Sequence, residues 1–358
     1  MSKKMLFAFL VIMSLMVLTA CGGYSKDDGS TASAEGEADT AVNDSATSAE
    51  TGNATGNATY KLRLGHQSPE ATNIHEYAVL FKNLLEEKTD GEVQVDIFPF
   101  RQLGTDRELL EAMQFGTLDF GVINGPPISG FAPETAVVDL PFLFRNWTHV
   151  KGFLDSDVRD DYLELTESAN LKNMGIMARG FRHITNSKKP LETTEDVKGM
   201  TIRVIESPVY VNAYKELGAS PQSMNWGDAY TALEQKAIDA QENTMDIIHD
   251  ENVAEVQDYV SKTGINFVFS FIMASKMEFD KWPEHIQEAV LEAAYEAGQE
   301  MTELNEHNES EFEEKLKAKG MEINDFDRNQ FEGKFEKTYE AWNKVHGDNL
   351  LKKIQEIQ

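Results

Sequence analysis

Cysteine occurs once in 358 residues, at Cys21. A single thiol excludes an internal disulfide framework and any metal site built from several thiolates. Basic residues are also scarce, with 33 Lys and Arg against 61 Asp and Glu, a formal charge of −28. The long-range field of such a chain repels nucleic acid, anionic lipid and anionic metabolites alike, so a function resting on a basic surface is excluded. A Gly-x-Ser-x-Gly nucleophile elbow, a Gly-rich phosphate loop and a His-Glu-x-x-His zinc helix are all missing. The eight histidines are scattered, with no two at the i, i+4 spacing of a helical metal site. No metal and no cofactor is expected, and the abundant carboxylates read as solvated faces.

No apolar run reaches the ~20 residues that a membrane-spanning helix needs. The run Met5 to Leu18, about 14 residues, follows Lys3 and Lys4 and leads into Thr19-Ala20-Cys21. This pattern predicts an export signal over residues 1–20. Leu18-Thr19-Ala20-Cys21-Gly22 resembles the bacterial lipoprotein processing box, which implies lipidation of Cys21 and a tether to the membrane surface. Residues 21–59 are rich in Ser, Thr, Ala, Gly, Asn and acids, a composition that cannot bury a core and predicts a flexible linker. The expected location is extracytoplasmic, lipid-anchored to the cell membrane.

The remaining residues, 60–358, are too many for one ordinary core and read as two α/β lobes. Leu62 and Leu64 alternate with Lys61 and Arg63 as a half-buried strand would; Ile74, Ala78, Phe81 and Leu85 follow at helical spacing, and Val93, Val95 and Ile97 alternate again. That is a β-α-β opening, the unit of a parallel sheet. Thr105-Asp106-Arg107-Glu108 has the form of a capping box, for a helix that stops near Phe115-Gly116. Leu118, Phe120 and Val122 predict a strand ending at Asn124-Gly125-Pro126-Pro127, while Phe142 and Phe144 read as core. Farther on, Ile202 and Val204 mark a strand, Pro208 starts a helix, Trp226 to Ala237 forms another, and Ile238 to Asn243 a short strand. From about Glu284 to Lys319 the chain is nearly free of breakers, with Ile286, Val290, Ala294, Met301 and Leu304 along one side. This predicts one helix of about 50 Å, long enough to brace both lobes.

Against the acidic background, Arg182 and Arg203 stand at strand-like positions and offer the best carboxylate clamp in the chain. A guanidinium in a dry cleft is screened far less than exposed carboxylates and presents a bidentate fork. Between Ile202 and Val204, Arg203 points away from the face those residues help bury. The bland alternative is a surface ion pair worth about 0–1 kcal/mol. Arg182 either clamps the ligand or holds an acid across the hinge. Asn243 ends its strand and can donate and accept. His66 and Gln67 end the first strand, where ligands settle in open α/β sheets, with Glu70, Asn73 and His75 just beyond.

Several segments in this order resemble the solute receptors of tripartite ATP-independent periplasmic (TRAP) transporters, in the dicarboxylate-binding branch. They are Gln102-Leu103-Gly104-Thr105-Asp106-Arg107-Glu108, Gly116-Thr117-Leu118-Asp119-Phe120, Leu140-Pro141-Phe142-Leu143-Phe144, Arg182 to Pro190, Gly199-Met200-Thr201-Ile202-Arg203-Val204, and Ala229 to Asn243. The resemblance implies an α/β, two-lobe periplasmic-binding-protein-like fold with a hinged cleft. Lobe I is expected over 60–180 with part of 268–305, and lobe II over 181–267 with the C-terminal helices to 358. It further implies a small organic acid as ligand, a four-carbon dicarboxylate or a sugar acid, passed to membrane permease subunits without chemistry on it. Arg203 falls on the arginine that pairs with the ligand carboxylate, Arg182 on the second arginine, and Trp226 opens a helix beside the cleft. Lys236 and Ala240 stand where the family often has glycine, which bears on local backbone geometry. Two other readings stay open: a receptor serving another transporter class or a sensor kinase, and a secreted hydrolase with paired carboxylates.

Overall fold

A computed structural model describes residues 58–358. The predicted signal, Cys21 and nearly all of the linker lie outside the described residues. Among those described, the strands are β1 (Tyr60–Gly65), β2 (Val93–Phe98), β3 (Phe120–Asn124), β4 (Leu171–Phe181), β5 (His183–Asn186), β6 (Thr201–Val204), β7 (Ser220–Ser223), β8 (Ala240–Asn243), β9 (Tyr259–Lys262), β10 (Phe267–Ser275) and β11 (Glu322–Asp325). They form two sheets, one in the order β2-β1-β3-β10-β4 and one in the order β11-β9-β5-β8-β6-β7. Each sheet is the floor of one lobe.

The first lobe opens as its sequence pattern requires. Leu62 and Leu64 are buried while Lys61 and Arg63 are exposed, and β2 and β3 pair parallel to β1. Helix Asn73–Lys88 crosses between β1 and β2 and buries Ile74, Ala78, Phe81 and Leu85. The Thr105 capping box is complete: the Thr105 N–H donates to the Glu108 carboxylate at 2.8 Å, and the Glu108 N–H donates back to Thr105 Oγ1 at 3.5 Å. Two expectations shift. The next strand starts at Phe120 rather than Leu118 and ends at Asn124, and beyond it Gly125–Ile128 forms one helical turn with prolines at its start, where a missing N–H costs nothing. β10 runs antiparallel to both β3 and β4, so the sheet is mixed. Phe267, Phe269 and Phe271 on β10 join Phe144 and Phe153 in one aromatic cluster. Phe142 is half-buried against Phe331 and Phe335.

In the second lobe, helix Trp226–Glu234 ends before the expected Ala237. The chain turns through Lys236 at φ +56°, a left-handed conformation that L residues adopt at a cost and that glycine adopts freely. Helix Glu284–Ala318, 35 residues long, links the lobes. Its first half buries Ile286, Val290, Ala294 and Met301 against Phe81 and Phe120 of the first lobe, each large side chain contributing about 1.5–3 kcal/mol. Gly298 lets the helix backbone lie against the Ile176 carbonyl of β4, a place a methyl group would occupy. Its second half buries Phe312 and Leu316 against Met245, Ile248 and Val260 of the second lobe. Leu304, placed on the packed side by its spacing, is exposed. No helix among the described residues is long and apolar enough to cross a membrane.

Candidate ligand-binding site

Between the lobes lies a narrow cavity walled by both. From the first lobe come Gln67, Ser68, Ile74, Asn124 and Arg179; from the second come Arg182, Arg203, Ile205, Trp226, Asn243 and Glu251. The space among them is about 30 Å³, room for about two waters. A larger groove of about 530 Å³ flanks helix Glu284–Ala318 on the first lobe and shares no lining residue with it. The cations of that groove are already matched, Lys151 to Glu306, Arg159 to Asp160 and Lys172 to Glu167.

Three arginines converge on the cavity, and their partners differ. Arg203 sits mid-strand in β6, between Ile202 and Val204, yet is only 2% exposed because the cleft covers the opposite face too. Its Nε and Nη2 donate to one backbone carbonyl, that of Met224, at 3.0 and 2.9 Å, and its guanidinium lies 5.5 Å from the Trp226 ring centre. Among the described residues no carboxylate lies within ion-pair distance of it. Burial accordingly pushes its pKa down to about 10, with the more distant Glu242 opposing.

Arg182, equally buried, already has a counter-ion. Its Nε pairs with the Glu242 carboxylate and its Nη2 donates to the Glu242 carbonyl at 2.7 Å. The antiparallel pairing of β5 with β8, His183 opposite Asn243, brings the two together. Burial works against the Arg182 charge, but Glu242 outweighs it and holds the pKa above the ordinary value. The other Glu242 oxygen accepts the Ile205 N–H at 3.0 Å. Arg179, three residues earlier on β4, reaches across the lobes: Nη2 pairs with Asp246 at 2.6 Å and Nη1 donates to Asn124 Oδ1 at 3.1 Å. The sequence reading passed over Arg179, which lies on β4 three residues before Arg182.

The other predicted residues divide. Trp226 and Asn243 line the cavity, and Asn243 Oδ1 accepts the Thr244 N–H at 3.1 Å. Gln67 also lines it and donates to Asp106 at 2.6 Å, an oxygen it shares with Asn124 at 2.8 Å. Burial pushes that Asp106 carboxyl up to about 7, with the Asn124 hydrogen bond opposing. His66 is buried behind the wall, 3.0 Å from His75, and burial followed by the His75 charge lowers its pKa to about 4. Asn73 faces a neighbouring crevice and bonds Asn305 of the long helix, while Glu70 is exposed in a turn. Asn124, Ser68 and Glu251 reach the cavity without having been singled out, because their place depends on how the two lobes meet.

The arrangement selects charge and hydrogen-bonding capacity: one guanidinium lacking a counter-ion, an aromatic face beside it, and amides on the facing walls. Comparison with known proteins agrees with this chemistry. Residues 64–345 match the family described as bacterial extracellular solute-binding protein, family 7. The chain is 32% identical over 305 residues to the 2,3-diketo-L-gulonate-binding periplasmic protein YiaO of Escherichia coli, covering 84% of this chain and 93% of that one. It superposes with a TM-score of 0.81 on a TRAP periplasmic solute-binding protein from Polaromonas bound to D-erythronate, at 29% identity over 84% of this chain and 99% of the other. The same score, identity and coverage relate it to a TRAP periplasmic solute-binding protein from Bordetella with density attributed to pantoate.

Proposed function

Since the chain belongs to family 7 of the bacterial extracellular solute-binding proteins, and is a TRAP-type receptor for organic acid anions rather than an enzyme, we propose that Arg203 receives the ligand carboxylate. The observation that carries this reading is the Arg203 guanidinium, buried with only the Met224 carbonyl for a partner. A buried cation without a counter-ion is costly, and an incoming carboxylate supplies one in bidentate form.

The same count of charges bears on ligand class. A dicarboxylate needs a second unmatched cation, but Arg182 and Arg179 already hold Glu242 and Asp246. The site therefore favours one carboxylate with hydroxyl or keto groups, which Asn243, Gln67, Asn124 and the outer edge of Trp226 are placed to meet. The relatives' ligands, a diketogulonate, an erythronate and a pantoate, are acids of this kind. Because the space is about 30 Å³, such an acid enters as the lobes part, and contacts from both stabilise the closed state.

We take lobe I as 60–180 with part of 268–305 and lobe II as 181–267 with the C-terminal helices, except that Leu351 and Ile354 of the last helix, Asn349–Gln355, pack in the first-lobe core. Lipidation at Cys21 and the acidic linker would tether the receptor outside the cell membrane, where it delivers its ligand to TRAP permease subunits. Mass spectrometry of acids released from denatured protein, followed by titration calorimetry with D-erythronate and succinate, tests the ligand class. Tight succinate binding with no response to hydroxy acids would refute it.

A further inference from the structure

The first-lobe wall of the cavity is organised around one oxygen atom. Asp106, the first residue of helix Asp106–Gln114, is 1% exposed and stands behind the wall without lining it. Its Oδ2 lies 2.6 Å from Gln67 Nε2 and 2.8 Å from Asn124 Nδ2, the amides of two residues that do line it. An ionised carboxylate only accepts, and a protonated one carrying its hydrogen on Oδ1 still accepts at Oδ2. Both amides therefore turn their NH2 groups toward Asp106.

What each then has left for a ligand differs. The Asn124 oxygen is already taken, by Arg179 Nη1 at 3.1 Å and the Ser270 hydroxyl at 3.2 Å. The Gln67 oxygen is not: Oε1 is buried and has no hydrogen-bond partner among the described residues. The backbone on either side of Gln67 is pinned by a turn at Phe100 and Arg101, both in the left-handed region at φ +51° and +60°. From that turn the Phe100 N–H donates to the Ser68 carbonyl at 3.0 Å and the Arg101 N–H to the His66 carbonyl at 3.2 Å. Gln67 is held at its backbone and at its amide nitrogen, and its oxygen is the one polar end left over. Buried acceptors are rarely left unpaired without a use. On the second-lobe wall, Glu251 Oε1 is another acceptor in the same condition.

We propose that Asp106 sets the ligand's chemistry by orientation: it fixes Gln67 with Oε1 as an acceptor for the ligand, so that the site takes a monocarboxylic acid bearing a hydroxyl there and discriminates against the matching keto acid. This rests on the reading of the cavity as the site for one carboxylate with hydroxyl or keto groups, and narrows it. A hydroxyl gives its hydrogen to Oε1, whereas a keto oxygen sets acceptor against acceptor and leaves both unpaired. Gln67 touches the ligand, and Asp106 is a positioning residue.

Two matched sets of four-carbon acids, the enantiomers of 2-hydroxybutanoate against 2-oxobutanoate and those of 3-hydroxybutanoate against 3-oxobutanoate, make the same change at successive carbons. Calorimetry on the parent should show a hydroxy acid binding roughly 10- to 100-fold more tightly than its keto partner in at least one set. Gln67→Met, similar in length but without the acceptor, should bring that ratio to within about threefold. Asp106→Leu should do the same although residue 106 does not line the cavity, because Gln67 is then free to turn either end to the ligand. Asp106→Asn, whose amide oxygen accepts from both NH2 groups, should keep the preference. A loss of fold lowers every affinity together and leaves the ratios alone. No preference in either set, or one that survives Gln67→Met or Asp106→Leu, would overturn the proposal. Neutron diffraction from the deuterated, unliganded protein reads the amide directly: deuterons are expected on the Gln67 atom that faces Asp106, and their absence there would overturn the orientation whatever the ligand. Binding undiminished by Arg203→Ala would instead overturn the ligand reading and leave the neutron result standing.

Discussion

Arg182 and Arg203 stand 21 residues apart, are both 2% exposed and both face the same cavity, yet one is satisfied and the other is not. β8 delivers Glu242 to Arg182, whereas the chain beside Arg203 offers one backbone carbonyl. The first is a structural ion pair built into the lobe. The second is a charge that the fold prepares and leaves for something else to neutralise. Residue type and burial are the same at both positions, and the partner alone separates a brace from a binding group.

Breaking the brace should have the largest effect. Arg182→Ala leaves Glu242 buried without its cation, which costs about 3–5 kcal/mol of stability. Chemical denaturation should show that loss, and a comparable one for Glu242→Gln. An Arg182→Ala variant that keeps full stability while losing ligand would invert the comparison. Arg203→Ala should do the opposite, costing about 2–5 kcal/mol of binding, roughly 30- to several-thousand-fold in affinity, with the denaturation midpoint near that of the parent. Calorimetry with the co-purifying acid decides it.

How much of this contrast was legible depends on the range over which it is set. The β-α-β opening, the Thr105 capping box and the long helix are local patterns, and each stands where the sequence placed it. The alternation around Arg203 correctly gave its direction. It could not show that the other lobe covers that face, since covering depends on residues 67, 68 and 124 arriving from elsewhere. The Arg182 partner lies 60 residues downstream, and only the β5–β8 register selects Glu242 from a surplus of acids. His66 at the end of β1 occupied the right neighbourhood, but its ring turned to His75 behind the wall. The left-handed turn at Phe100 and Arg101 carries no glycine to announce it.

Acid–base behaviour sharpens the difference further. Asp139 hydrogen-bonds the Ser207 hydroxyl at 2.9 Å, and burial pushes its pKa up to about 7, with Ser207 and then Arg182 opposing. Its unfolded value is about 3.9, so the protonated form favours the fold. That contribution is fully present below about pH 4 and is lost as pH rises through about 7. Asp139→Asn should therefore gain stability relative to the parent between pH 4 and pH 7, by up to about 4 kcal/mol, and hold that difference above. Denaturation at several pH values checks it. A constant difference across the range would show that Asp139 is ionised beside Arg182, making that brace a larger charge cluster.

The finest test uses the aromatic ring that each arginine faces. Trp226 lies 5.5 Å from the Arg203 guanidinium and Tyr210 lies 5.9 Å from that of Arg182. The two contacts are alike in kind and worth about 0.5–2 kcal/mol each. If the arginines divide the work as their partners indicate, the rings should divide it too. Trp226→Leu should weaken ligand binding by roughly 2- to 30-fold at nearly constant stability, because it strips the aromatic face from the group that receives the carboxylate. Tyr210 is fully buried in the second-lobe core, so Tyr210→Leu should lower stability and leave the affinity of the folded fraction near that of the parent. Calorimetry and denaturation on the same pair of variants place each on one axis. A Tyr210→Leu variant that loses affinity as strongly as Trp226→Leu would mean that ligand reaches Arg182 after all, and that Glu242 yields its partner on binding.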